Sequence, residues 1–121
     1  MIMKIAIPTM DLEGMDAIVG QHFGSSPAYT LYDTESGTVQ SVPNASRHMG
    51  GQGYPPEILH GLGVNVLVCK GLGIKALDMF SSMGIEVLIG AGETVRDTIA
   101  LWKEGKLCQA SRNSACQGHS H

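Results

Sequence analysis

The chain has 121 residues, which fits one domain of common size, and its 43% hydrophobic content with 5% aromatic residues predicts an aliphatic core. A formal net charge of −3, with eight lysines and arginines spread along the chain, argues against a nucleic-acid surface. The apolar runs are much shorter than the ~20 residues of a membrane-spanning helix, and the first residues lack the pattern of a signal peptide. We therefore expect a cytoplasmic protein with no membrane partner.

The first half of the chain predicts a strand, a long loop and a hairpin. Residues 3–7 are rich in β-formers, and the loop that follows is too long to be a simple connection. Residues 29–33 and 39–42 flank a glycine-containing turn and predict an antiparallel hairpin. Residues 44–53 are polar and glycine-rich, which indicates a second long surface loop.

The second half alternates between helical and strand patterns. This β-α-β-α order predicts parallel strands joined by right-handed crossovers. The predicted elements are a helix over 55–62, a strand over 64–69, a helix over 74–83, a strand over 86–89 and a helix over 94–103. We predict one domain over residues 1–105 and a flexible tail over 106–121, because the tail has few core-forming residues.

Glycine-rich segments follow the predicted parallel strands, and the carboxyl ends of parallel strands share one edge of a sheet, where ligands of such folds bind. Glycines let the backbone approach a ligand, while helix N-termini and a lysine attract negative charge. The sequence therefore predicts an anion site there, with candidate contacts Lys70, Gly71, Gly73, Gly90 and Gly92.

Each of these glycine motifs taken singly is also what an ordinary strand-to-helix turn requires. Residues 71–76 match the GxGxxA form of a dinucleotide fingerprint, with Glu93 at a suitable distance for a ribose contact. That fingerprint belongs at the first strand-helix unit of a larger fold, whereas here it lies past the middle of a short chain, so nucleotide binding is disfavoured.

Two loops add candidate metal and anion ligands. His22 lies between glycines, next to Phe23 and Gly24, and neutral imidazole is a common ligand of iron, zinc and copper. Arg47 and His48 in the second loop add a cation and another imidazole. The alternative is that both are ordinary solvated loops.

The tail supplies a further set of soft ligands, namely Cys108, Cys116, His119 and His121. This spacing matches no closed zinc finger, so a flexible metal site or an accessory cluster ligand remains open. With three cysteines, an odd number, thiol or metal chemistry is favoured over a disulfide framework, and Cys69 reads as a packed residue.

Sequence motifs of catalysis are absent from the chain, including GxSxG, the P-loop and HExxH. We expect a protein that is not an enzyme.

The N-terminal MKIAIPT strand, the HFG motif at residues 22–24, the glycine-rich middle loop, and GLG followed by MGIEVLIG resemble the dinitrogenase iron-molybdenum cofactor family of NifX-like, NafY-like and NifB C-terminal-like proteins. The resemblance covers about residues 3–104 and is to a stand-alone small member. It implies a ribonuclease-H-like, three-layer α/β/α fold with a mixed five-stranded sheet. It also implies binding of an iron-sulfur cluster, with or without molybdenum or copper, and a role for His22 in holding it.

Three functional hypotheses follow. The first is a carrier of an anionic metal-sulfur cluster in cofactor assembly or storage, with a cluster donor or acceptor protein as its partner. The second is a regulatory or scaffold module that binds a partner protein through the glycine-rich edge or the tail. The third, an enzyme acting on a phosphorylated small molecule, predicts phosphate bound at residues 71–73.

Overall fold

The structure, a computed structural model, describes residues 3–21, 26–43 and 55–110. The strands are β1 (Lys4–Thr9), β2 (Ala28–Asp33), β3 (Val39–Pro43), β4 (Val66–Cys69), β5 (Glu86–Ile89) and β6 (Cys108–Gln109). The helices are α1 (Pro55–Gly61), α2 (Ile74–Ser82) and α3 (Val95–Lys103), with a short 3-10 helix at Gly14–Asp16.

Within the described residues the strands form one six-stranded mixed sheet in the spatial order β3-β2-β1-β4-β5-β6. β1, β4 and β5 are parallel, whereas β2, β3 and β6 each pair antiparallel with their neighbours. The three parallel strands lie side by side, so their carboxyl ends meet at one edge. The predicted mixed α/β fold is confirmed, with six strands instead of five.

Alternation along the strands produces an apolar core on each face of the sheet. On one face, Leu59 of α1 and Phe80 of α2 pack with Leu67 of β4 in a single cluster. On the other face, α3 contributes Val95 and Ile99 to a cluster that also contains β1 side chains and the segment after β1. Burying one such side chain completely stabilises the fold by about 1.5–3 kcal/mol, so these cores hold α1 and α2 on one face of the sheet and α3 on the other.

Local sequence signals set the limits of the helices. The side chain of Thr94 caps α3 by accepting a hydrogen bond from the Asp97 N–H at 3.2 Å. After α2, Gly84 adopts φ +77°, the left-handed conformation that glycine favours at a helix end. The structure confirms the predicted helix at this position and the glycine that ends it.

Strand β6 lies inside the segment that we predicted as a flexible tail, so that prediction is wrong for its first residues. Cys108 pairs with Ile89, and the Ala110 N–H donates to the Val87 carbonyl at 2.9 Å. Backbone pairing along the outer side of β5 needs no apolar pattern, which explains why the composition of the tail did not predict β6. The prediction for the rest of the tail concerns residues 111–121, which lie outside the described residues.

In the described part of the chain, none of the helices has the length and hydrophobicity needed to cross a membrane.

Candidate functional site

The candidate site is the carboxyl edge of the sheet, a name used here for residue Thr9 and residues 70–73 and 90–94. These residues follow or end β1, β4 and β5, which are neighbours in the sheet. The register pairs Cys69 with Ile89, so the loops after β4 and β5 start at the same height. The predicted convergence of glycine-rich segments is therefore present.

Lys70 and Glu93 connect the two loops. The Lys70 Nζ lies 3.7 Å from the Glu93 Oε1, with the lysine side chain 20% exposed and the glutamate side chain 79% exposed. The positive charge at this edge thus has a carboxylate neighbour. From the sequence, Glu93 was a candidate only for a ribose contact, and the ion pair with Lys70 was not predicted.

At Gly71 and Gly73, the space that a side chain would fill holds no other atoms of the described chain. A Cβ placed on either residue would meet nothing within 4 Å. Neither glycine has a positive φ, and Gly73 has φ −77°, which any residue can adopt. Neither backbone conformation nor internal packing therefore requires glycine at these two positions.

The N-terminus of α2 follows directly and offers unused amides. Gly73 occupies the N-cap position without a side-chain cap, and its carbonyl accepts from the Leu77 N–H at 3.0 Å. Among the described residues, no acceptor takes a hydrogen bond from the amides of Ile74, Lys75 or Ala76. Such amides and the helix dipole together favour an anion.

Gly90 and Gly92, in contrast, have structural reasons to be glycine. Gly90 has φ +105°, a conformation that side chains rarely adopt. A Cβ on Gly92 would lie 2.8 Å from the Asp97 Cβ, and the Gly92 N–H donates to Thr98 Oγ1 at 3.1 Å. The amide of Gly92 is thus committed to α3, and the two halves of the predicted glycine set differ in role.

Cys69 is the last residue of β4, directly before the loop of residues 70–73. Its side chain lies in the core, and the residue is 1% exposed. Burial raises the pKa of this thiol to about 12, while a hydrogen bond from the Gly71 N–H opposes the shift. A neutral, buried thiol is a poor metal ligand. The structure agrees with the interpretation of Cys69 as a packed residue.

The segment after β1 lies along the same edge, where the chain from Pro8 onward was expected to meet the loops after the other parallel strands. The Met10 N–H donates to the Ile18 carbonyl at 2.8 Å, and the Val19 N–H donates to the Glu93 carbonyl at 2.9 Å. Met10, Leu12 and Ile18 remain 53%, 56% and 45% exposed. The segment therefore leaves three apolar side chains exposed, and one of them, Ile18, bridges to Thr94 in the loop after β5.

Gly20 and Ser26 bring together the two ends of the loop that carries His22. The Gly20 N–H donates to the Pro8 carbonyl at 2.9 Å, and Ser26 is 1% exposed. A Cβ on Gly20 would collide with the Ser26 Oγ. Close contact at the base of the loop thus requires glycine at position 20.

Several predicted ligands cannot be placed. The predicted contacts that lie outside the described residues are His22, Phe23, Gly24, Arg47, His48, Cys116, His119 and His121. Within the part of the chain that is described, no group of three or more His, Cys, Asp or Glu residues is arranged to hold a metal ion.

Cys108 departs from the expectation for the tail. The residue lies in β6 and packs, half-buried, against the core cluster that contains Leu67 and Phe80. The other three predicted ligands of this set, Cys116, His119 and His121, lie outside the described residues, so the metal-binding role of Cys108 stays a prediction.

The sequence model of the dinitrogenase iron-molybdenum cofactor family matches residues 1–105, and the chain belongs to this family. This confirms the resemblance carried by the sequence motifs. The match includes the whole carboxyl edge.

Individual relatives agree with this assignment. The chain is 28% identical over 111 residues to an uncharacterised protein of Methanocaldococcus jannaschii, covering 88% of this chain and 90% of that protein. A structure of a Thermotoga protein, provisionally named as a NifB protein of the DUF35 family, is similar with a TM-score of 0.75 and 26% identity, over 95% of this chain and 99% of that one.

The apo form of the orange protein from Desulfovibrio gigas is also similar, with a TM-score of 0.79 over 89% of this chain and 92% of that one. The two sequences are 24% identical, so this likeness is a likeness of fold.

Proposed function

We propose that this protein binds an anionic metal-sulfur cluster at the carboxyl edge and carries or stores it during cofactor assembly. The observation that carries the proposal is the open space at Gly71 and Gly73, two glycines that neither the backbone conformation nor internal packing requires. Membership of a family described by the iron-molybdenum cofactor supports a cluster as the ligand. The cluster is the cargo of the protein.

The described residues fit the anionic character of such a cargo. Amide N–H groups at the start of α2 can donate to cluster sulfides, and Lys70 can offset part of the negative charge. Glycine at positions 71 and 73 lets a bulky inorganic group approach the backbone closely.

The described residues offer no group of metal ligands at this edge, so we assign the direct bond to a residue of the long loops. His22 is the first candidate because Gly20 and Ser26, which flank its loop, lie close together, and Gly20 is hydrogen-bonded to Pro8 near the end of β1. Arg47 and His48 are candidates for a second contact. We propose no chemical transformation, so the protein is not assigned as an enzyme.

Anaerobic reconstitution with iron or molybdenum or copper, together with sulfide, tests the proposal. The wild-type protein should acquire visible charge-transfer absorption that is lost or strongly reduced in His22→Ala. Replacing Gly71 and Gly73 together by alanine should weaken binding by about tenfold, equivalent to about 1.4 kcal/mol.

Gly61→Ala is the matched control for the two glycines. Gly61 also lacks a positive φ and has nothing within 4 Å of a built Cβ, but it lies at the end of α1. This variant should bind as the wild type does. A colourless wild-type protein, or equal binding by all variants, would contradict the proposal.

A second candidate function is docking of a partner protein at the same edge. The observation that favours it is the exposure of Met10, Leu12 and Ile18 in the segment after β1, where Ile18 bridges to Thr94. Leu12→Ser should then reduce cross-linking to partner proteins in the source cells while leaving cluster content unchanged. Unchanged cross-linking would count against this candidate.

A further inference from the structure

The Lys70–Glu93 pair is uneven in its exposure to solvent. The lysine side chain is 20% exposed and the glutamate side chain 79% exposed, with 3.7 Å between Nζ and Oε1. A lysine side chain that is largely covered has little freedom to turn its ammonium group away from Glu93. A well-hydrated carboxylate loses little when it moves away, so the pair can open on the glutamate side.

The backbones of both residues are held in place. The Ala91 N–H donates to the Cys69 carbonyl at 3.3 Å, which links the residue before Lys70 to the loop that contains Glu93. The Val19 N–H donates to the Glu93 carbonyl at 2.9 Å. Because the main chain is anchored on both sides, exchange of partners at Lys70 requires movement of the Glu93 side chain.

Lys70 directly precedes Gly71 and lies three residues before Gly73, at the open part of the edge. An anion that approaches these glycines and the first turn of α2 would therefore meet the Lys70 ammonium with Glu93 already beside it. A dianion interacts with the ammonium group more strongly than a single, exposed carboxylate does.

We propose that Glu93 is a placeholder counterion, which neutralises Lys70 in the unloaded protein and is displaced when the anionic cargo binds. Glu93 thereby lowers the affinity for the cargo and favours its release, a property useful in a carrier. This inference rests on the proposed function, because it names a regulator of the same site.

Titration with tetrathiomolybdate, a sulfide-rich dianion with visible absorption, tests the inference under anaerobic conditions. Glu93→Gln should bind the probe about two- to fivefold more tightly than the wild type, the range expected from an exposed ion pair. Lys70→Met should bind more weakly. In the Lys70→Met background, adding Glu93→Gln should change the affinity little, because the two residues act through one contact.

Glu104→Gln is the matched control for the change in net charge. Glu104 Oε1 lies 3.2 Å from the Lys106 Nζ, so this variant also releases an exposed lysine from its carboxylate. Its affinity for the probe should equal that of the wild type. A gain equal to that of Glu93→Gln would show a general charge effect and overturn the inference.

The outcomes also separate this inference from the proposed function. If the wild-type protein binds the probe and Glu93→Gln binds it no more tightly, the placeholder role is overturned and the proposed function stands. Wild-type protein that binds neither the probe nor a reconstituted cluster overturns both.

Discussion

The amide N–H of Gly92 donates a hydrogen bond to Thr98 Oγ1 at 3.1 Å, and Thr98 Oγ1 in turn donates to the Thr94 carbonyl at 2.8 Å. This chain ties the loop after β5 to the first turn of α3. Thr98 is fully buried, so the contact belongs to the interior of the fold. Gly92 therefore serves the architecture of the edge, whereas Gly71 and Gly73 leave it open.

Gly92→Ala should destabilise the protein by about 1–3 kcal/mol, because the added Cβ would lie 2.8 Å from the Asp97 Cβ, which is attached to the backbone of α3 and cannot move without it. Urea denaturation followed by circular dichroism measures this loss. Gly61→Ala is the control and should show no comparable loss. Equal stability of the Gly92 variant and the wild type would show that α3 shifts without cost.

Replacing Gly71 and Gly73 by alanine should not destabilise the protein. Both positions have open space around a Cβ and a φ that alanine adopts, so the change should be neutral or stabilising by about 0.4–1 kcal/mol per residue. The same urea experiment measures this. Marked destabilisation would show that these glycines serve the fold, and weakened cluster binding would then have a structural cause.

Gly20→Ala should destabilise the base of the loop that carries His22, since the new Cβ would collide with the Ser26 Oγ. Adding Ser26→Ala removes that oxygen and should restore part of the stability and of the His22-dependent cluster binding. Thermal unfolding and reconstitution of the single and double variants measure both effects. A double variant as impaired as the sum of its parts would contradict the proposed contact.

The buried thiol of Cys69 should make the protein less stable at alkaline pH. Its pKa rises from an ordinary 9.0 to about 12 in the folded protein, because burial disfavours the thiolate. Below pH 9 the thiol is protonated in both states, so this group causes no pH dependence there. Above pH 9 the unfolded chain loses the proton first, and stability should fall by about 1.4 kcal/mol per pH unit until the folded pKa is reached.

Urea denaturation between pH 8 and about 10.5 in oxygen-free buffer measures this slope. Tyr29, whose pKa is raised by burial as well, adds to the loss at the upper end of the range. Cys69→Ala removes the thiol and should show a shallower slope, whatever its stability at pH 8. Parallel slopes for the two proteins would contradict a raised pKa for Cys69.

The sequence predicted the order of strands and helices because each element carries its own periodicity and end signals. The hairpin of β2 and β3 and the helices α2 and α3 follow from such local patterns. Strand β6 did not follow, because its pairing depends on the exposed side of β5 and not on its own residues. The convergence of the loops followed from the parallel order of the strands.

The sequence could not distinguish the role of Gly71 and Gly73 from that of Gly90 and Gly92, since each pair forms a GxG motif after a strand. The difference arises from the tertiary position of Asp97 and from the turn at Gly90. The pairing of Lys70 with Glu93 was also missed. A signal existed, because oppositely charged residues that follow adjacent parallel strands lie at the same edge.

The carboxyl edge is proposed to bind a metal-sulfur cluster, and this claim is tested by analysis of metal and acid-labile sulfide in protein purified without oxygen. The wild-type protein should contain iron, molybdenum or copper together with sulfide, and the double alanine variant of Gly71 and Gly73 should contain much less. Gly61→Ala should retain the wild-type content. Wild-type protein without metal and sulfide, both as isolated and after reconstitution, would contradict the claim.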